Sequence, residues 1–162
     1  MKYLLLLFFF ISFAMNAQDL NEIRSEYPKA VESSEVANKL NAALASVKTP
    51  SKPILLAYKG AASTLKANFA KSRSDKKEFF KEGVSLIESA IEAEPSNIEI
   101  RYIRMSVQEN SPRFLGYHKN IEEDKEFILK NYANGSSAKS KEIVKNFVIN
   151  SENFSENEKA MF

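Results

Sequence analysis

From residue 18 onward, apolar residues recur at steps of three and four almost without a break, and no stretch alternates with period two. That spacing predicts helix throughout. Leu20, Ile23 and Tyr27 line a first helix that stops near Pro28. Val36, Leu40, Ala43, Leu44 and Val47 line a second, opened by Ser33 or Ser34 and closed by the Thr49-Pro50 turn. A third takes Pro53 in its first turn, where a missing N–H costs nothing, and turns Ile54, Tyr58, Ala61, Leu65 and Phe69 inward. The fourth opens at Asp75, with Glu78 placed to reach back to its amide, and carries Phe80, Gly83, Val84, Ile87 and Ile91. Pro95 ends it. Ser96 and Glu99 repeat the capping spacing for a fifth helix with Ile100, Ile103 and Val107 inward. A sixth runs from Asn120, capped with Glu123, through Ile121, Ile128 and Tyr132 to an Asn134-Gly135 stop. A seventh carries Ile143, Val144, Phe147 and Val148, and Ser155 with Glu158 starts a last short turn.

Seven or so amphipathic helices with short connections must bury their stripes against one another. The expected architecture is a single all-α domain over residues 18–162, either a helical bundle or a short stack of helices. Residues 1–17, "MKYLLLLFFFISFAMNA", are of a different kind: one early cation, Lys2, then an apolar run and a small residue. The run is shorter than the ~20 residues a membrane span requires. Its order is that of a secretory signal peptide cut after Ala17. The expected location is therefore periplasmic or extracellular, with no membrane span after cleavage.

Composition narrows the chemistry. The chain has no cysteine, which excludes a disulfide framework, a thiolate metal site and a lipid-modified cysteine at the cleavage point. Its net charge of +2 falls to +1 once Lys2 is removed, so no general attraction to nucleic acid or anionic lipid is expected. The sequons Asn134-Gly135-Ser136 and Asn153-Phe154-Ser155 read as helix ends rather than glycan acceptors.

Aligned on Pro95, residues 83–107 resemble a tetratricopeptide repeat, a unit of about 34 residues with small and aromatic positions ahead of a turn proline. Gly83 stands at the small position, Ile87 at the aromatic one and Ala90 at the next small one, with Ile100, Ile103 and Val107 following in the next helix. Residues 67–74, "ANFAKSRS", lack the first-helix pattern of the repeat. The whole chain is also similar to small exported proteins of Gram-negative bacteria. These resemblances imply a helical stack with a concave surface for a protein or peptide partner, and they imply no activity and no cofactor.

Three groups of side chains carry the candidate chemistry. Arg101, Arg104 and Gln108 form a polar stripe on the fifth helix, where arginines can fork onto a ligand carboxylate. The competing expectation pairs Glu88 with Arg104 and Glu92 with Arg101 across the Pro95 turn. Arg113, Tyr117 and His118, with Phe114 and Lys119, crowd the connection between the fifth and sixth helices, offering cation, ring and donors together. The plainer reading has Phe114 and Leu115 plug the end of the bundle. Lys71, Arg73, Lys76, Lys77 and Lys81 surround the start of the fourth helix and read as a solubilising surface. His118 is the only histidine, so no catalytic or metal constellation is legible. Glu88, Glu92 and Glu94, and Glu122, Glu123, Asp124 and Glu126, read as solvated runs. The function expected from these features is that of an exported helical binding protein. The alternatives are a small exported hydrolase acting on cell-wall or glycan substrates, or a purely structural envelope protein.

Overall fold

A computed structural model describes residues 20–48, 51–134 and 137–162; the expected signal segment of residues 1–17 and the expected stops at Thr49-Pro50 and Gly135 lie outside them. The described residues hold eight α-helices and no strand. The first, α1, covers residues 20–30. There follow α2 (Ser34–Ala43), α3 (Pro53–Phe69), α4 (Arg73–Ala93), α5 (Ile98–Asn110), α6 (Ile121–Asn131), α7 (Ala138–Asn150) and α8 (Glu156–Lys159). Short 3-10 turns sit at Arg113–Leu115 and Tyr132–Asn134. No helix among the described residues is long and apolar enough to cross a membrane.

Most boundaries follow the capping chemistry that the sequence suggests. Ser33 caps α2, Pro53 is the first residue of α3, and Ser155 with Glu158 forms a complete capping box on α8. Three differ. The α1 helix runs past Pro28 to residue 30, because Ala30 is fully buried in the core and holds the last turn. Ser72 rather than Asp75 caps α4, its hydroxyl accepting from the Asp75 amide. Asn97 rather than Ser96 caps α5, accepting from the amides of Glu99 and Ile100 and so freeing the Glu99 side chain for another use.

The centre of the molecule is α5, buried from Ile98 to Gln108 on every face and packed against α3, α4, α6 and α7. The closest pairing is the antiparallel hairpin of α3 and α4. There Gly60 and Gly83 lie face to face: a Cβ added to either would stand 2.5 Å from the carbonyl oxygen of the other. This bears on the expectation for Gly83, whose missing side chain does admit close approach, to α3. Seven rings continue the core in a chain from Tyr58 through Tyr27, Tyr102, Phe147, Phe154 and Phe162 to Tyr132, at centroid spacings of 4.4 to 6.4 Å.

Candidate binding groove

The two arginines of the α5 polar stripe lie inside the protein. Arg104 donates Nε and Nη2 to the two carboxylate oxygens of Asp124, both at 2.7 Å, and Nη1 to Glu88 at 3.2 Å. Arg101 donates Nη1 to Asp124 at 3.0 Å and also to Glu123. Its Nε reaches the Pro95 carbonyl at 2.9 Å, and its guanidinium lies over the Phe127 ring. The Glu88 to Arg104 pairing is thus observed. The expected Glu92 to Arg101 pairing is not formed, because Glu92 faces solvent while α6 presents Glu123 and Asp124 to Arg101. Asp124 has no exposed surface, so it does not belong to the solvated run assigned to it. Burial opposes the charge on Arg104, but the Asp124 hydrogen bonds and the attraction of Asp124, Glu88 and Glu123 outweigh it and raise its pKa. Gln108 is also fully buried, its amide donating weakly to Asn120 at 3.4 Å while its Oε1 has no partner.

A second ionic network lies on the opposite flank of α5. Glu99 accepts from Arg24 through both oxygens, at 2.8 and 2.7 Å, and from the Tyr58 hydroxyl at 2.8 Å. By spacing alone Glu99 has only a capping role.

The remaining candidates sit around the connection from α5 to α6. Tyr117 is buried and donates its hydroxyl to Glu88 at 2.6 Å, while its ring meets Phe80 edge-on. His118 is half-buried, with Nε2 2.8 Å from the Ser111 carbonyl. Arg113 is exposed. The six residues Arg101, Arg104, Gln108, Arg113, Tyr117 and His118 therefore do not share one surface.

What does share a surface comes from two features that are separate in the sequence, the connection at 113–118 and the cations of residues 71–81. The 3-10 turn of Arg113–Leu115 ends at Gly116, whose φ of +68° lets the chain double back to seat Tyr117 in the core. Phe114 is thereby held outward at 87% exposure, with Leu115 at 37%. Phe114 does not plug the bundle end: Tyr117 and Phe80 close the space behind it. Facing the turn is the first part of α4. Between them runs a groove of about 710 Å³ lined by Ala67, Asn68, Phe80, Pro112, Phe114 and Leu115, with Arg73, Lys76 and Lys77 along one wall. Among the described residues no carboxylate lines it, and none of these three cations forms an ion pair. The turn from α3 into α4 also leaves Phe69 42% exposed, where the helical spacing places it inward. The signal for this groove in the sequence was the density of cations in residues 71–81 and the aromatic run at 113–118, but nothing in the spacing says that they meet.

Comparison of the chain with protein-family models, curated proteins and solved structures finds no match to any of them.

Proposed function

We propose that the protein is an exported, non-catalytic binding protein whose groove beside Phe114 takes a protein or peptide segment carrying carboxylates and at least one apolar anchor. The export half rests on the leader-like order of residues 1–17. The binding half rests on one observation: Phe114 stands free of the core above a groove whose ionised groups are all positive. Leaving a phenylalanine in water forgoes roughly 1.5–3 kcal/mol that burial would return. Arg73, Lys76 and Lys77 supply complementary charge for an acidic partner, which speeds encounter and fixes orientation more than it tightens the complex.

The test uses the chain from residue 18 onward and fluorescein-labelled helical peptides with Leu and Phe spaced by four, flanked by either glutamates or lysines. Glutamate peptides are expected to bind with an affinity that falls as salt rises, and lysine peptides to bind far less. Phe114→Ala should weaken the complex about tenfold or more, and a Lys76→Glu, Lys77→Glu pair should reverse the charge preference. Retained affinity in both variants, or binding that ignores peptide charge, overturns the reading.

A further inference from the structure

A second cleft, of about 280 Å³, opens between α1, α5 and α7 and shares no lining residue with the groove beside Phe114. Its aromatic walls are Tyr27, Tyr102 and Phe147, with the Tyr102 ring 6.3 Å from that of Tyr27 and 5.0 Å from that of Phe147. Ser106 and Glu109 are its polar members on α5. The Tyr27 hydroxyl is occupied, 2.8 Å from Ser106 Oγ. Tyr102 is only 4% exposed, yet its hydroxyl forms no hydrogen bond among the described residues. The ring is buried but the oxygen is not sealed from solvent, so at the cleft it is free to pair with a ligand atom in place of water.

Glu109 is half satisfied in the same way. Its Oε2 accepts from Ser151 at 2.7 Å and from the Asn153 side chain at 2.8 Å, while Oε1 has no partner among the described residues. Burial raises its pKa, against the pull of those two donors, and the neighbouring Glu152 adds to the rise. Glu32 is the other acid of the cleft, and neither it nor Glu109 forms an ion pair among the described residues. No lysine, arginine or histidine lines the cleft.

We infer that this cleft binds an alkyl ammonium group, with Glu109 Oε1 and the Tyr102 hydroxyl accepting its N–H bonds and the rings of Tyr102 and Phe147 covering its stem. An ammonium has three donors and no acceptor, which matches a lining of unengaged acceptors. Aromatic faces attract the same charge. An anion meets Glu109 and Glu32 with like charge, and a neutral ligand leaves the Glu109 charge uncompensated. The ammonium can come from a free amine or from a lysine side chain of a partner, and the two are told apart by experiment.

The full chain is titrated near neutral pH with n-butylammonium, n-butanol, butyrate and Nα-acetyl-lysine amide, following amide shifts by heteronuclear NMR. Butylammonium is expected to shift Tyr102, Ser106, Glu109 and Phe147 in a saturable way, and butanol and butyrate are not. Glu109→Gln, close in shape, should weaken ammonium binding about tenfold or more, and Tyr102→Phe severalfold. Acetyl-lysine amide matching butylammonium assigns the site to a lysine side chain, and failure of that probe alone assigns it to a free amine. Equal binding of butanol and butylammonium by the wild-type chain overturns the inference whatever the stability of the variants. So does unchanged affinity in Glu109→Gln, or no saturable shift with butylammonium.

Discussion

Single residues of this protein mislead or inform according to the face on which they fall. Asp124 lies in a run of four acids, yet Ile121, Asp124 and Ile128 share one face of α6, and that spacing was the available sign that the middle one is internal. It neutralises two arginines at once, so Asp124→Ala strands both in the interior and should cost about 3–5 kcal/mol. Glu92→Ala, on the solvent face of α4, should fall within about 0.5 kcal/mol of wild type. Urea unfolding of the two variants side by side checks both expectations. The same geometry disqualifies Arg101→Ala and Arg104→Ala as tests of ligand binding, since either leaves Asp124 buried with one guanidinium gone. Phe114 is the opposite case, a ring that composition assigns to the core and that Gly116 turns outward. No periodicity rule covers a three-residue 3-10 turn, so its exposure was not legible in the sequence.

Among the elements, the apolar stripes of α4 and α7 are where the spacing puts them, because each has one neighbour layer and one wet face. For α5 the spacing marks Ile100, Ile103 and Val107 as inward and leaves Arg101, Arg104 and Gln108 as a polar stripe beside them. Glu99, Arg101 and Arg104 lie on its other faces and are still buried, each having a fixed partner on α1, α4 or α6, and a partner on another helix leaves no mark on local periodicity. The α3 and α4 hairpin offers a sharper check. At Gly83 alanine is the better helix former by up to about 1 kcal/mol, but its methyl would meet the Gly60 carbonyl and the Thr64 side chain. Gly83→Ala is therefore expected to destabilise by about 1–3 kcal/mol, the range for overpacked sites. Thermal denaturation reads it, and a rise in midpoint would refute the close crossing.

On the scale of the whole molecule, the all-helical class follows from the step pattern alone, whereas the way the helices converge depends on ionic pairs and a chain of rings linking residues far apart in sequence. That chain has a consequence for pH. Burial pushes Tyr27 up to about 12, with the Ser106 hydrogen bond pulling the other way, and burial first of all raises Tyr58 and Tyr102 well above the ordinary value. In the unfolded chain these phenols ionise near 10. Above that pH the unfolded state binds fewer protons than the folded one, so stability that is complete below about pH 10 declines as pH rises. Tyr27 alone should account for about 3 kcal/mol between roughly pH 10 and 12. Urea midpoints across that range should fall, and phenolate absorbance should grow in step with unfolding rather than ahead of it. Phenolate appearing in the folded chain near pH 10 from more than the accessible tyrosines would contradict the burial. A different kind of control operates at the two opposed glycines. Their contact acts as a fulcrum for the hairpin: backbone meets backbone there, so no change of rotamer can widen it. One wall of the cationic groove is built from the short arms of the same two helices beyond that pivot, and selectivity for an occupant can be retuned at Ala67 or Lys76 without disturbing the point on which they bear.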